Sequence, residues 1–186
     1  MIEKKDLKKI DGLIEKVRKG DTESFGEIYD ILLSDIYRFI FYKVSHKETA
    51  EDLTEDTFFK IWQNLDKYEK TEVPFTSWAY RIAYNTVIDH TRKDKQIVEI
   101  IEEIHDEDMS TSREAEQFYN QKILERALTH LPETQKEVVI LKYVNDLSNK
   151  EISEVTGKSE TAIRTLLSRA IAKLKEVLTR LEEDKK

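Results

Sequence analysis

Residues 148–181 read SNKEISEVTGKSETAIRTLLSRAIAKLKEVLTRL, and this stretch predicts two helices joined by a tight turn. Ser148 with Glu151 three residues on has the capping-box pattern, in which a hydroxyl and a carboxylate satisfy each other's orphan backbone N–H groups. Ile152 and Val155 give a short apolar face before Thr156-Gly157 ends the helix, glycine being the residue that tolerates positive φ. Ser159 is the next N-cap. At 100° per residue, Ile163, Leu166, Leu167, Ala170, Ile171, Leu174, Val177, Leu178 and Leu181 then fall on one broad stripe. Thr161, Arg164, Thr165, Ser168, Arg169, Lys173 and Arg180 take the other side. A short capped helix, a glycine turn and a longer helix with a Ser/Thr/Arg face is the layout of a DNA-reading helix-turn-helix. An ordinary helical hairpin with a solvated basic face is the alternative.

Working outward, the rest of the chain is also helical. Upstream of the quoted stretch, Ile123, Leu124, Ala127, Leu128 and Leu131 mark one helix, and Pro132 opens another containing Val138, Val139 and Leu141. At the other end, Ile10, Leu13, Ile14 and Val17 have i, i+3, i+4, i+7 spacing, and Gly20-Asp21 ends that helix and caps the next. Phe25, Ile28, Tyr29, Leu32, Ile36, Phe39, Ile40 and Val44 define a long second helix. Leu53, Phe58, Ile61, Trp62 and Leu65 define a third, beside the acids Glu48, Glu51, Asp52, Glu55 and Asp56. A connector over 66–73 leads to Pro74, which is tolerated in a first turn, and a fourth helix to about Arg92. Residues 94–117 mix acids with Ser and Thr without a sustained period and read as a linker. The expected architecture is all-α: a helix bundle over 1–93, an acidic linker over 94–117 and a helix-turn-helix domain over 118–186.

Composition narrows the function classes. The 186 residues are 37% charged and 39% hydrophobic, a balance that suits small helical domains with charged outer faces. There is no cysteine, so disulfides and thiolate metal sites are excluded. The N-terminal MIEKKDLKKI lacks the apolar core of a secretory signal, and no window approaches the ~18 apolar residues of a membrane span. The expectation is a cytoplasmic protein without membrane insertion. The net charge of −7 divides into −3 over 1–92, −6 over 93–118 and +2 over 119–186. Affinity for duplex DNA comes mainly from neutralised phosphates. An acidic chain that reads DNA therefore needs a partner to supply much of the attraction.

Catalysis finds no support. His46, His90, His105 and His130 lie far apart, with no His-x-x-x-His pair for a metal, and no glycine-rich phosphate loop or nucleophile elbow occurs. No enzyme activity, cofactor, metal site or small-molecule substrate is expected. The fourth predicted helix is a better candidate site, because Arg81, Asn85, Asp89 and Arg92 share one polar face. Trp78, Tyr80 and Tyr84 flank that face, with Tyr68 and Phe75 in or next to the connector. Aromatic faces for an unstacked base, amides for its edge and cations for phosphate are what hold single-stranded nucleic acid. Trp78, Tyr80 and Phe75, each taken singly, are better explained as core aromatics of a small bundle; it is their collection with the polar groups on one helix and its entry loop that points to a site.

Two sets of stretches resemble a known family. FGEIYDILLSDIYRFIFYKV, AEDLTEDTFFKIWQNLDKY and PFTSWAYRIAYNTVIDHTRK resemble region 2 of sigma-70 family factors of the extracytoplasmic-function (ECF) group. ALTHLPETQKEVVILKYVNDLSNKEISEVTGKSETAIRTLLSRAIAKLK resembles their region 4. Together these cover about residues 22–93 and 123–175, in the family's order. The resemblance implies a transcription initiation factor that binds core RNA polymerase and selects promoters. In the family, region 2 docks on the polymerase clamp helices, which implies that role for Asp52, Leu53, Glu55, Phe58, Ile61 and Trp62. Region 2 also melts the −10 element and captures an extruded base, which maps to Tyr68, Trp78, Arg81, Asn85 and Asp89. Region 4 reads the −35 duplex, which maps to Ser159, Thr161, Arg164, Thr165, Ser168 and Arg169. An arginine there can make a bidentate contact to guanine, worth ~1–3 kcal/mol of discrimination.

The resemblance further implies that the acidic linker lies in a polymerase channel built for nucleic acid, and that an anti-sigma protein is a partner. With about 25 residues between the regions and no added domain, it implies the minimal two-domain class. One departure stands out: the family often has a cation where this chain has Leu166, on the apolar stripe. A free-standing helix-turn-helix regulator is the competing function. A helical adaptor that binds only protein is a third.

Overall fold

The helix starts and stops marked in the sequence are where the chain turns in the computed structural model, which describes residues 4–94 and 122–183. Helix α1 spans Lys4–Arg18, α2 Glu23–Val44 and α3 Lys47–Asn64. A 3-10 turn over Leu65–Lys67 and an irregular connector lead to α4, Phe75–Asp94. Helix α5 is described over 122–129, and α6 spans Glu133–Val139 and runs on as a π turn over Ile140–Val144. Helices α7, Asn149–Thr156, and α8, Glu160–Glu183, form the helix-turn-helix. No strand occurs among the described residues. The linker expected over 94–117 lies, but for its first residue, outside them.

Local chemistry accounts for the boundaries. Gly20 takes φ 97° after α1. Asp21 then accepts from the Ser24 backbone N–H at 3.3 Å and its hydroxyl at 2.8 Å, which holds the carboxyl below its ordinary range. Ser148 and Glu151 form both bonds of the capping box, at 3.2 and 2.8 Å. Gly157 takes φ 71° as the left-handed C-cap of α7, and the Ser159 hydroxyl accepts the Ala162 N–H at 3.2 Å. The start of α3 is capped by a residue that the cap rules pass over. His46 Nδ1 accepts the Thr49 N–H at 3.2 Å, so its imidazole does the work usually done by a hydroxyl or carboxylate.

Helix α2 packs against α1, α3 and α4, and α4 also lies on α3. Ile28, Leu32, Ile36, Phe39, Ile40, Ile61, Tyr80, Ala83 and Val87 fill the space between them. In the second unit α6 and α7 pack on α8, around Val138, Val139, Ile152, Val155, Ile163, Leu167 and Ala170. Each large apolar side chain so buried contributes ~1.5–3 kcal/mol.

The two units then pack on one another. Helix α4 lies against α7, and the π turn lies against α2. This seam is unusually polar. Asn145 donates to the Asp35 carbonyl at 2.9 Å and to the Tyr80 hydroxyl at 3.0 Å. Lys136 donates to the Lys43 carbonyl at 3.1 Å, and Lys43 pairs with Glu133. Glu137, nearly fully buried, accepts from the Tyr84 hydroxyl at 3.2 Å and pairs with Lys158 at 2.8 Å. Interfaces of this polarity resemble separable domain contacts more than a single obligate core.

Candidate nucleic-acid interface

The polar stripe of α4 forms one wall of a cavity of about 340 Å³. Trp78, Arg81, Asn85 and Asp89, four of the five residues assigned to the strand-capturing role, line it together. Helical spacing alone puts Arg81, Asn85 and Asp89 in a row, and Trp78 falls one turn earlier on the same side. Ile82 and Thr86 complete this wall. The opposite wall is Lys60 and Asn64 from the end of α3, with Lys67 from the turn after it. None of these three was singled out from the sequence, because spacing within α4 cannot say which element faces it.

Arg92, next on the stripe, is turned away and opens onto a second cleft with Lys43, Thr91 and Glu133.

Tyr68 does not join the others. It is 5% exposed, packed edge-on against Phe75 at 4.9 Å and tilted against Trp78 at 5.3 Å. Arg18 reaches across from α1 to donate to the Tyr68 and Leu65 carbonyls, which pins the loop before α4. A ring held there braces Trp78 and offers no open face to a base. Trp78 itself is half-buried, wedged also against Phe75 at 5.2 Å, with the rest of its surface toward the cavity.

Two groups of the α4 surface are engaged by the second unit. Arg81 pairs with Glu154 of α7 at 2.8 Å. Tyr84 donates to Glu137, and burial together with that carboxylate pushes its phenol up to about 12.

On α3 the structure sorts the expected polymerase-facing residues into two sets. Leu53, Phe58 and Ile61 are 8%, 4% and 0% exposed and belong to the core, so they cannot themselves touch a partner. Asp52, Glu55 and Trp62 are exposed. They share a helical stripe with Asp56 and with Phe59, whose ring is 58% exposed. Positions 52, 55, 56, 59 and 62 already carry that signal in their i, i+3, i+4 spacing. Phe58 beside it satisfies the apolar pattern, which masks Phe59 in the periodicity. Trp62 leans edge-on against Phe25 of α2 at 4.8 Å, which presents a broader aromatic surface.

The helix-turn-helix face agrees with the spacing. Ser159, just before α8, and Thr161, Arg164, Thr165, Ser168 and Arg169 along its first half are all exposed. Arg164 makes an i, i+4 pair with Glu160 at 3.1 Å, an exposed contact worth little and easily exchanged. The Thr165 hydroxyl bonds back to the Thr161 carbonyl at 3.0 Å. Leu166 is half-buried, as its place on the apolar stripe requires.

No group of three or more His, Cys, Asp or Glu able to hold a metal occurs among the described residues. No described helix is long and apolar enough to cross a membrane.

Known proteins carry the same two units in the same order. Family models described as Sigma-70 region 2 and Sigma-70 region 4 match residues 28–97 and 121–174. The ECF RNA polymerase sigma factor SigW of Bacillus subtilis is 30% identical over 184 residues, covering 89% of this chain and 94% of that one. The ECF RNA polymerase sigma factor BldN of Streptomyces coelicolor is 33% identical over 174 residues, and the match spans 64% of its length. Two solved structures share the fold. CnrH, in complex with the cytosolic domain of CnrY, superposes with a TM-score of 0.69 at 22% identity, covering 90% of this chain and 96% of that one. The sigma factor RpoE of Bartonella quintana, in complex with the anti-sigma factor NepR, gives 0.70 at 24%, covering 85% and 98%. With both regions matched and a relative at this identity aligned over nearly its whole length, the chain belongs to the sigma-70 family, as an RNA polymerase sigma factor of the ECF group.

Proposed function

We propose that this sigma factor binds core RNA polymerase and directs it to promoters by two separate readings of DNA. Residues 1–93 dock on the polymerase and take the opened −10 strand, and residues 118–186 read the −35 duplex, with 94–117 as the tether between them. The observation that carries this reading is the α4 cavity, where an indole, an amide, a carboxylate and a guanidinium converge on a space the size of a nucleotide. Trp78 offers a face for an unstacked base, Asn85 and Asp89 offer donors and acceptors for its edge, and Arg81 offers charge for a phosphate. Promoter melting follows from such capture, since each base held out of the stack lowers the free energy of the opened state.

The exposed residues of α8 supply the second reading. Arg164 and Arg169 reach for base edges or phosphates in the major groove, with Ser159, Thr161, Thr165 and Ser168 around them. On α3, Asp52, Glu55, Phe59 and Trp62 form the polymerase-docking stripe, and the buried Leu53, Phe58 and Ile61 hold it in shape. An anti-sigma protein is a third partner, in keeping with the complex in which the Bartonella factor was solved. The Arg81–Glu154 pair is exposed and exchanges at little cost, so Arg81 can turn to a phosphate when the strand is present. The site of action is the cytoplasm.

The net charge of −7 argues against a free-standing regulator, which would need a basic surface of its own to hold duplex DNA. A gel-shift with a promoter library separates the two. The pure protein should bind duplex weakly, with promoter-specific complexes forming once core polymerase is added. Nanomolar duplex binding at physiological salt without polymerase would overturn the proposal.

A further inference from the structure

Helix α1 lines neither wall of the α4 cavity, yet it grips the turn that leads into α4. Its apolar face, Ile10, Leu13 and Ile14, is buried as α1 packs on α2, and residues 4–18 precede the stretch matched to Sigma-70 region 2. From the last turn of α1, Arg18 Nη2 donates to the Leu65 carbonyl at 3.2 Å and to the Tyr68 carbonyl, 47 and 50 positions along the chain. These carbonyls bracket the 3-10 turn, which the Leu65 oxygen also closes by accepting the Tyr68 N–H at 3.1 Å. The connector has two other ties, Lys70 to Asp11 of α1 and Glu72 to Lys150 of α7, both at 2.6 Å. Each joins exposed side chains and holds little. Arg18 instead bonds the main chain of a turn whose Leu65 and Tyr68 side chains are buried.

What this turn places is the aromatic backing of the cavity. Tyr68, Phe75 and Trp78 form a triangle, with ring centroids 4.9, 5.2 and 5.3 Å apart. Phe75 and Trp78 belong to α4, so Tyr68 is the one ring of the three that the connector carries. Its hydroxyl is buried without a hydrogen-bond partner among the described residues, so packing and the main chain alone place the ring. We propose that Arg18 is a positioning residue for base selection, acting through Tyr68 on Trp78. By fixing the main chain of Tyr68 it sets the wall against which an unpaired base stacks. The planar guanidinium directs both N–H groups of one nitrogen at two carbonyls of one turn, a match that a rotating ammonium makes less well. The inference rests on the strand-capture reading of α4 and adds a residue, outside the cavity, that fixes its shape.

The test is the base preference of the full chain assembled with core polymerase. The probes are fluorescein-labelled fork-junction DNAs, duplex through the −35 segment and single-stranded from −10, from a promoter that the assembly transcribes. Each single-stranded base is replaced in turn, and Trp78→Ala marks the position whose preference depends on the cavity. Arg18→Ala should cut the preference at that position by about fivefold or more, while other positions and a blunt −35 duplex stay within about twofold. Arg18→Lys keeps the charge without the planar geometry and should lose about two- to threefold at the same position. Lys70→Ala, which removes only an exposed pair, should keep the parental profile. A second readout needs no DNA. The sequence has two tryptophans, so Trp62→Phe leaves Trp78 as the single indole of the free chain, and adding Arg18→Ala should raise its quenching by acrylamide.

A parental base profile in Arg18→Ala, an equal loss at every position, or unchanged quenching of Trp78 would overturn the role of Arg18 while leaving the α4 reading in place. A parental assembly indifferent to the base at every single-stranded position would instead refute strand capture itself, and the role of Arg18 with it. Arg18 is exposed and the apolar face of α1 is untouched, so the fold should tolerate the change, and thermal melting by circular dichroism checks this. Should Arg18→Ala fail to fold, Arg18→Lys decides on the same readouts.

Discussion

Asn145 is where a single substitution should report on how the two units are held together. Its side chain is 7% exposed and its amide donates to the Asp35 carbonyl at 2.9 Å and to the Tyr80 hydroxyl at 3.0 Å, both in the other unit. Tyr80 is 2% exposed, and burial pushes its phenol far above the ordinary value, so the hydroxyl stays protonated and depends on neighbours for its hydrogen bonds. Asn145→Ala removes two hydrogen bonds, each worth about 1 kcal/mol net, and leaves a buried hydroxyl oxygen without its donor, which costs about 1–3 kcal/mol in place of the simple bond. The expected destabilisation is therefore about 2–4 kcal/mol, a large share of the roughly 5–15 kcal/mol that holds a domain folded. Tyr80→Phe removes the orphaned oxygen, so Asn145→Ala should cost about 1–2 kcal/mol less in that background. Urea unfolding of the parent, the two single variants and the double variant measures this coupling. Additivity within about 0.5 kcal/mol would refute the reasoning, since it would mean that the two residues do not meet in solution.

Four further outcomes are expected. In an ultraviolet titration Tyr84 should ionise near 12, and Glu137→Gln should lower it only part of the way toward the ordinary value of about 10, because burial is the larger cause and remains. Because the folded value is the higher one, its stabilising contribution is complete below pH ~10 and is lost as pH rises toward 12; a folded chain whose tyrosines all titrate near 10 would contradict the seam. Ser148→Ala should cost about 1 kcal/mol in thermal or urea unfolding through loss of the capping box, and an unchanged midpoint would show that the α7 start is held by packing alone. Phe59→Ala should leave stability within about 0.5 kcal/mol, its ring being mostly exposed, yet weaken core polymerase binding by more than fivefold in a fluorescence titration; equal affinity would remove Phe59 from the docking stripe. Arg164→Ala should lower promoter-specific transcription about tenfold with core binding intact, and a matching fall in core affinity would place Arg164 elsewhere.

Much of this architecture was legible without coordinates because its signals are local. A capping box, a glycine at a left-handed C-cap and an apolar stripe at 100° per residue each depend on neighbours within about four positions. The helix-turn-helix therefore emerged with its boundaries, and all six candidate residues on its outer face are exposed. On α3 the same periodicity separates two stripes. Positions 52, 55, 56, 59 and 62 form one stripe and 54, 57, 58, 61 and 65 another, and the structure buries the second while exposing the first.

What periodicity cannot supply is the identity of the opposing surface. Tyr68 and Trp78 both suit base stacking by composition, but only packing against Phe75 and the reach of Arg18 from α1 decide that the first ring is a brace and the second lines the cavity. Lys60 and Asn85 are 25 positions apart, and Asn145 and Tyr80 are 65 apart. The amino-acid order determined the helices, their ends and their amphipathic faces, because those arise from interactions within a turn or two of the backbone. The cavity, the polar seam and the burial of Leu53, Phe58 and Ile61 were decided only when distant helices met, because close packing selects which member of each face is covered and by what.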